Sequence, residues 1–340
     1  MLKPVSIICA LMLLPVAATH ADAIGFRQIT IDTGGSRPLN VALWYPTGDD
    51  ASAETVGENR AFFGIPTVPD ATPDPRSHPL VVLSHGYGGT WRNLSWLAAV
   101  LVEHGFAVAA PDHPGTTFFD RDPAQAAKLW ERPHDLSRTI DAVLADPGLA
   151  GPVDPGRIAA IGHSLGGWTV AALAGARFDP QLFAQDCDDN AGLRACTLSE
   201  ELGLTDPALG QDLRDPRVKA FVTLDLGLAR GFLPESLAAV TVPALVFGAG
   251  IDIGGMPAAL ESGWLAEHLP GETTHLVMIP DAMHFSFMQL CKPGAEAMIE
   301  KEDPGDGIVC RDGEHRGRAA IHDEVAARII SFLDQSLPSR

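Results

Sequence analysis

Basic residues are scarce in this sequence. Its 340 residues hold 24 Lys and Arg against 43 Asp and Glu, a formal net charge of −19. Such a surface repels phosphate backbones and anionic headgroups, which argues against nucleic acid or an anionic membrane as a partner. Long apolar runs are also few. One opens the chain, in "MLKPVSIICALMLLPVAATHADA", and is too short and proline-interrupted to span a bilayer. Its early Lys and the small residues Ala21 and Ala23 read as a cleaved secretory signal over residues 1–23, cut after one of those two alanines. No later segment offers a membrane span, and neither repeats nor low-complexity tracts occur.

Cysteine is sparse, and its spacing excludes a zinc site. Cys9 leaves with the signal. The remaining Cys187, Cys196, Cys291 and Cys310 form an even set in a chain expected to be exported. Two disulfides follow, and the spacings favour Cys187–Cys196 and Cys291–Cys310.

The hydrophobic fraction, 46%, is enough for one large core. After the signal, "GFRQITID" and "LNVALWYP" alternate like antiparallel strands around Gly34–Gly35, and residues 47–78 read as a long surface loop. Short apolar strands then alternate with helices: "PLVVLSH", "FAVAAPD", "RIAAIGH", "VKAFVTLD", "PALVFGAG" and "THLVMIP". That rhythm predicts an α/β fold, a mostly parallel sheet flanked by helices, over residues 24–340. The acidic stretch 178–217 interrupts it and reads as a small cap over one end of the sheet.

The chemistry centres on "RIAAIGHSLGGWTV". Ser164 lies between Gly162 and Gly166, where a strand runs into a helix. A nucleophile at such a turn sits in a strained backbone, and the chain passes too close for side chains two positions away. An earlier strand ends in "VVLSHGYGGT", the pattern of an oxyanion loop, and "IPDAMHFSF" places His284 after the last strand. Ser164 would attack a carbonyl, His284 would relay the proton, and the N–H groups of Tyr87 and Leu165 would hold the oxyanion. Two acids fit the chain order. Asp252 follows a Gly-rich approach in "GAGIDIGGMP" and is favoured; Asp225, ending "KAFVTLD", is the alternative. Trp91, His113 and Trp168 are candidate pocket residues. His85 and His163 are expected to support loops, and His275, His315 and His322 to pack or lie at the surface. The pattern calls for no metal or organic cofactor: "FGAGIDIGG" lacks the third glycine of a dinucleotide loop, and "DCDDNAG" lacks the glycine and glutamate of a calcium loop.

These motifs, with "LNVALWYP" and "HPLVVLSHGYGGTWRNLSWLAAVLVEHGFAVAAPDHPG", resemble the α/β-hydrolase superfamily. More narrowly, they resemble bacterial dienelactone-hydrolase-like proteins related to platelet-activating-factor acetylhydrolases. Dienelactone hydrolases use a cysteine nucleophile; Ser164 stands there, so the resemblance implies ester hydrolysis. The acetylhydrolases hold their acid one strand earlier than most of the superfamily, where Asp225 lies. The expected function is thus a periplasmic or extracellular serine esterase acting on a small-molecule or lipid ester. Acyl transfer by the same residues, or a catalytically silent binding protein on this fold, are the alternatives.

Overall fold

The computed structural model describes residues 23–338, so the expected leader lies outside the described residues except for Ala23, which opens the first strand. Ten strands form one sheet: β1 (Ala23–Ile31), β2 (Leu39–Thr47), β3 (Glu54–Val56), β4 (Ile65–Pro69), β5 (His78–Ser84), β6 (Ala107–Asp112), β7 (Val153–His163), β8 (Val218–Leu224), β9 (Ala244–Ile251) and β10 (Thr274–Met283). Their order is β10-β9-β8-β7-β5-β6-β2-β1-β4-β3. From β10 to β6 every pairing is parallel, and β2 joins antiparallel to both β6 and β1.

The parallel strands are apolar because both their faces are covered. One core lies under the helices Glu131–Ala145, Leu165–Ala174 and Ser262–His268; the other lies under Ser95–Glu103 and the closing helix Arg318–Ser336. Strand β5 is buried along its whole length, whereas β1, near the edge, alternates. The chain leaves β5 for β6 on one side and returns to β7 on the other. The loops after β5 and β7 therefore diverge, opening a crevice at the carboxyl ends of the strands, where ligands of such sheets bind.

The long loop expected over residues 47–78 is instead partly strand. Strands β3 and β4 pair with each other, and β4 runs parallel to β1 through Gly25↔Val68 and Phe26↔Pro69. Pro66 and Pro69 cannot donate to a ladder, which suits a strand close to the sheet edge and disguises it in the sequence. The acidic segment 178–217 contains the helices Pro180–Asp189 and Arg194–Thr197. Phe178 and Phe183 root it in the core, and Arg230 binds Asp186 through Nε at 2.9 Å from both carboxylate oxygens.

Candidate active site

Strand β7 ends at His163, and the helix Leu165–Ala174 starts one residue after Ser164. Ser164 takes up the turn alone, at φ 55° and ψ −120°. A non-glycine residue held there stores about 1–3 kcal/mol of strain, sustained by the surrounding structure. The Ser164 N–H donates to the Leu224 carbonyl of β8 (3.0 Å), and its own carbonyl accepts from Gly167 (2.8 Å). The flanking glycines are sterically required. A Cβ on Gly162 would lie 2.0 Å from the Gly166 carbonyl oxygen, and one on Gly166 would lie 1.9 Å from that of Ser84.

His284 begins the turn after β10 and is buried. Its Nδ1 lies 2.7 Å from Asp225 Oδ2. Asp225 follows β8 directly, at φ 47°, and is fixed from behind: Ala249 N–H donates to Oδ1 (2.8 Å), while Asp225 N–H donates to Phe247 O (2.9 Å). A carboxylate only accepts, so His284 Nδ1 is the donor in this bond. The expected pairing of Asp252 with His284 is not found. Asp252 is exposed, and its Oδ1 accepts from Gly254 (2.9 Å) and Met256 (3.1 Å) within its own turn. The reason is topological: β8 adjoins β7 whereas β9 lies one strand further out, and β9 runs on through Ile251 before Asp252 emerges.

The loop after β5 closes over Ser164. A Cβ on Gly86 would come 3.1 Å from Ser164 Cβ. Tyr87, Ser164, Leu165 and His284 border one cavity of about 700 Å³. The Tyr87 hydroxyl donates to Glu201, and burial, followed by that bond, pushes its pKa to about 12.

Residues 75–184 match the family described as serine aminopeptidase, S33. Cutinase est2 of Thermobifida alba is 34% identical over 101 residues, covering 29% of this chain and 31% of that protein. Cutinase cut1 of Thermobifida fusca is 33% identical over 101 residues, 29% of each. The chain thus spans less than a third of the length of these relatives. Over nearly its whole length it superposes on a ferulic acid esterase from Streptomyces cinnamoneus, with a TM-score of 0.64, 22% identity and coverage of 94% and 91%. The chain has the α/β-hydrolase fold.

Two cross-linked segments face the cavity. Both local cysteine pairs are closed, Cys187–Cys196 and Cys291–Cys310. Arg194, Ala195 and Leu198 line the cavity from the first segment; Met298, Ile299 and Val309 line it from the second. Asp186, Cys187 and Cys196 lie close together, but disulfide sulfurs are not thiolate ligands for a metal. Phe118 and Phe119 stand at the mouth, 64% and 72% exposed, and Phe62 lies nearby.

The three candidate pocket residues belong elsewhere in the fold. Trp91 is buried and packs on Phe26 and Trp44, with ring centroids 5.4 Å apart in both cases. Trp168 lies in a helix buried on every side, between Phe178 and Phe232. His113 has no exposed surface; its Nδ1 meets Asp135 Oδ2 and its Nε2 meets Ser84 Oγ, each at 3.0 Å. Closeness to a motif along the chain does not tell which way a side chain faces.

Among the lining residues that sequence reasoning does not reach, Glu261 is the charged one set deepest. Glu261 is buried in the cavity wall and accepts from Ala229 N–H (2.8 Å) and Arg230 (3.1 Å). Burial pushes its carboxyl up to about 7, against the pull of Arg230. No local pattern marks a glutamate at the start of a short helix for such a place.

Proposed function

We propose that this protein hydrolyses carboxylic esters through Ser164, His284 and Asp225. The observation carrying this reading is the 2.7 Å contact between Asp225 and His284 at the cavity that strained Ser164 also borders. Ser164 Oγ attacks the ester carbonyl carbon while its proton passes to His284 Nε2. Asp225 keeps the ring in the reactive tautomer and stabilises the imidazolium. The N–H of Leu165 has no intrahelical partner at the first helical position; with the N–H of Tyr87 it receives the oxyanion. The tetrahedral centre collapses, the alcohol departs with the proton from His284, and water repeats the sequence to release the acid and restore Ser164.

The cavity and its aromatic mouth suit a small-molecule or lipid ester. The names of the relatives, cutinases and a ferulic acid esterase, fit that class. Export is the localisation that fits two closed disulfides. Among the described residues no helix is long and apolar enough to cross a membrane. The segment 178–217 serves as the cap.

Turnover of p-nitrophenyl acetate and butyrate tests the reading. The protein hydrolyses both with and without chelator, and Ser164→Ala loses essentially all turnover. Full activity in Ser164→Ala, or abolition by chelator, would refute it.

A further inference from the structure

Behind the oxyanion loop lies a charge that the mechanism above does not use. Arg132 is 1% exposed, in the helix Glu131–Ala145. Each of its hydrogen bonds goes to a neutral oxygen. Nε donates to Thr169 Oγ1 (3.0 Å), Nη1 to Thr116 Oγ1 (2.5 Å), and Nη2 to Ser84 Oγ (3.3 Å) and to the His85 carbonyl. Asp135, one helical turn away, is taken by Arg37 (2.9 and 2.8 Å), His113 and Arg138. Burial lowers Arg132 to about 9, so it remains a cation at neutral pH. Burying a guanidinium without a contacting carboxylate is costly, and a fold keeps one where its forked geometry is needed.

The fork reaches both halves of the oxyanion site. On the loop side it holds the His85 carbonyl. The His85 ring then folds back, Nδ1–H donating to Gly86 O (2.7 Å), while His113 N–H donates to His85 Nε2 (3.0 Å). Gly89 N–H donates to the same Gly86 carbonyl (3.1 Å). That carbonyl belongs to the peptide whose N–H is Tyr87's, so these bonds fix the plane in which the donor points. On the helix side, Thr169, which accepts from Arg132, donates to the Leu165 carbonyl (2.9 Å). Thr116, bound by Nη1, accepts Gly88 N–H on its carbonyl (2.9 Å).

We propose that Arg132 is a positioning residue that sets the separation and orientation of the Tyr87 and Leu165 donors by bridging the loop after β5 to the helix after Ser164. The proposal rests on the esterase reading. Donors misplaced by less than an ångström lose transition-state stabilisation and leave ground-state binding alone.

The experiment measures kcat and KM on p-nitrophenyl butyrate, and the inhibition constant of an alkyl boronic acid, whose tetrahedral serine adduct places an oxygen in the hole. Thr169→Val, nearly isosteric, cuts only the helix-side link. We expect kcat to fall about tenfold, KM to stay within twofold, and the boronate constant to rise in step with the loss in kcat. The pH midpoint of kcat/KM should not move, because His284 and Asp225 are untouched. Arg132→Lys, which keeps charge without the fork, should show the same pattern more deeply. If that variant does not fold, Thr169→Val and Thr116→Val decide. Folded threonine variants with wild-type kcat and boronate affinity, or a loss confined to KM, overturn the proposal. Ser164→Ala runs beside them: retained turnover there removes the esterase reading itself, whereas a dead Ser164→Ala beside unimpaired threonine variants removes only the bridge.

Discussion

His163 donates from Nε2 to the backbone carbonyl of His284 at 2.9 Å, and the two rings lie 4.7 Å apart. The residue just before Ser164 therefore holds the backbone of another residue that borders the same cavity. Burial, followed by the proximity of His284, lowers the His163 pKa to about 3 and keeps the ring uncharged. In the proposed mechanism a second imidazolium there would oppose the charge that His284 carries.

The acid assignment gives a direct contrast. Asp225→Asn removes control of the His284 tautomer and should lower kcat by ~10⁴. Asp252→Asn disturbs only two turn hydrogen bonds and should stay within a few-fold of wild type. Steady-state kinetics on both variants, with circular dichroism to confirm folding, checks this. A large loss in Asp252→Asn beside a near-normal Asp225→Asn would reverse the assignment.

Stability should fall in mild acid. His85, His113, His163 and His322 are buried, and burial is the largest cause lowering each; the last three drop to about 3. In the unfolded chain they titrate near 6.5. Between about 3 and 6.5 the unfolded state binds more protons, so this stability is present above 6.5 and lost as pH falls through the window. Each histidine contributes a slope that rises to about 1.4 kcal/mol per pH unit below 6.5 and averages about 1 between pH 7 and 5. Urea unfolding at pH 7, 6 and 5 measures it. His322→Gln removes one titrating group and should flatten the slope by about that amount; an unchanged slope would count against this account.

Opening one cross-link should affect stability and selectivity together. The Cys291–Cys310 bridge closes a separation of 19 residues, worth about 3 kcal/mol on the chain-entropy model. The double variant Cys291→Ser/Cys310→Ser should lose about that in denaturant unfolding. Met298, Ile299 and Val309 lie inside the loop and line the cavity. KM should therefore rise for a long acyl ester and change little for an acetate. Equal KM shifts for both esters would show that the loop does not form the wall.

The central strands are legible in the sequence because parallel strands covered on both faces must be apolar throughout, as "LVVL" and "IAAI" are. The turn at Ser164 is legible because its requirement is local: two glycines where a Cβ meets backbone at about 2 Å. Strand β4 is hidden because prolines mask it and its pairing with β1 is remote in the chain. The partner of His284 is hidden for a similar reason. Asp225 and Asp252 both follow apolar strands, and what separates them is which strand adjoins β7. The environments of Trp91, His113 and Trp168 also depend on contacts from distant segments.

Both cystines fasten their segments to themselves, and neither ties a wall to the sheet. Neither bridge encloses any residue of the strands that lead to Ser164, Asp225 and His284. Under the proposed function the catalytic residues and the cross-linked cavity wall thus come from different segments. An engineer could exchange the stretch between Cys291 and Cys310 as a cassette to redirect the selectivity of the proposed esterase while leaving the Asp225–His284 contact intact.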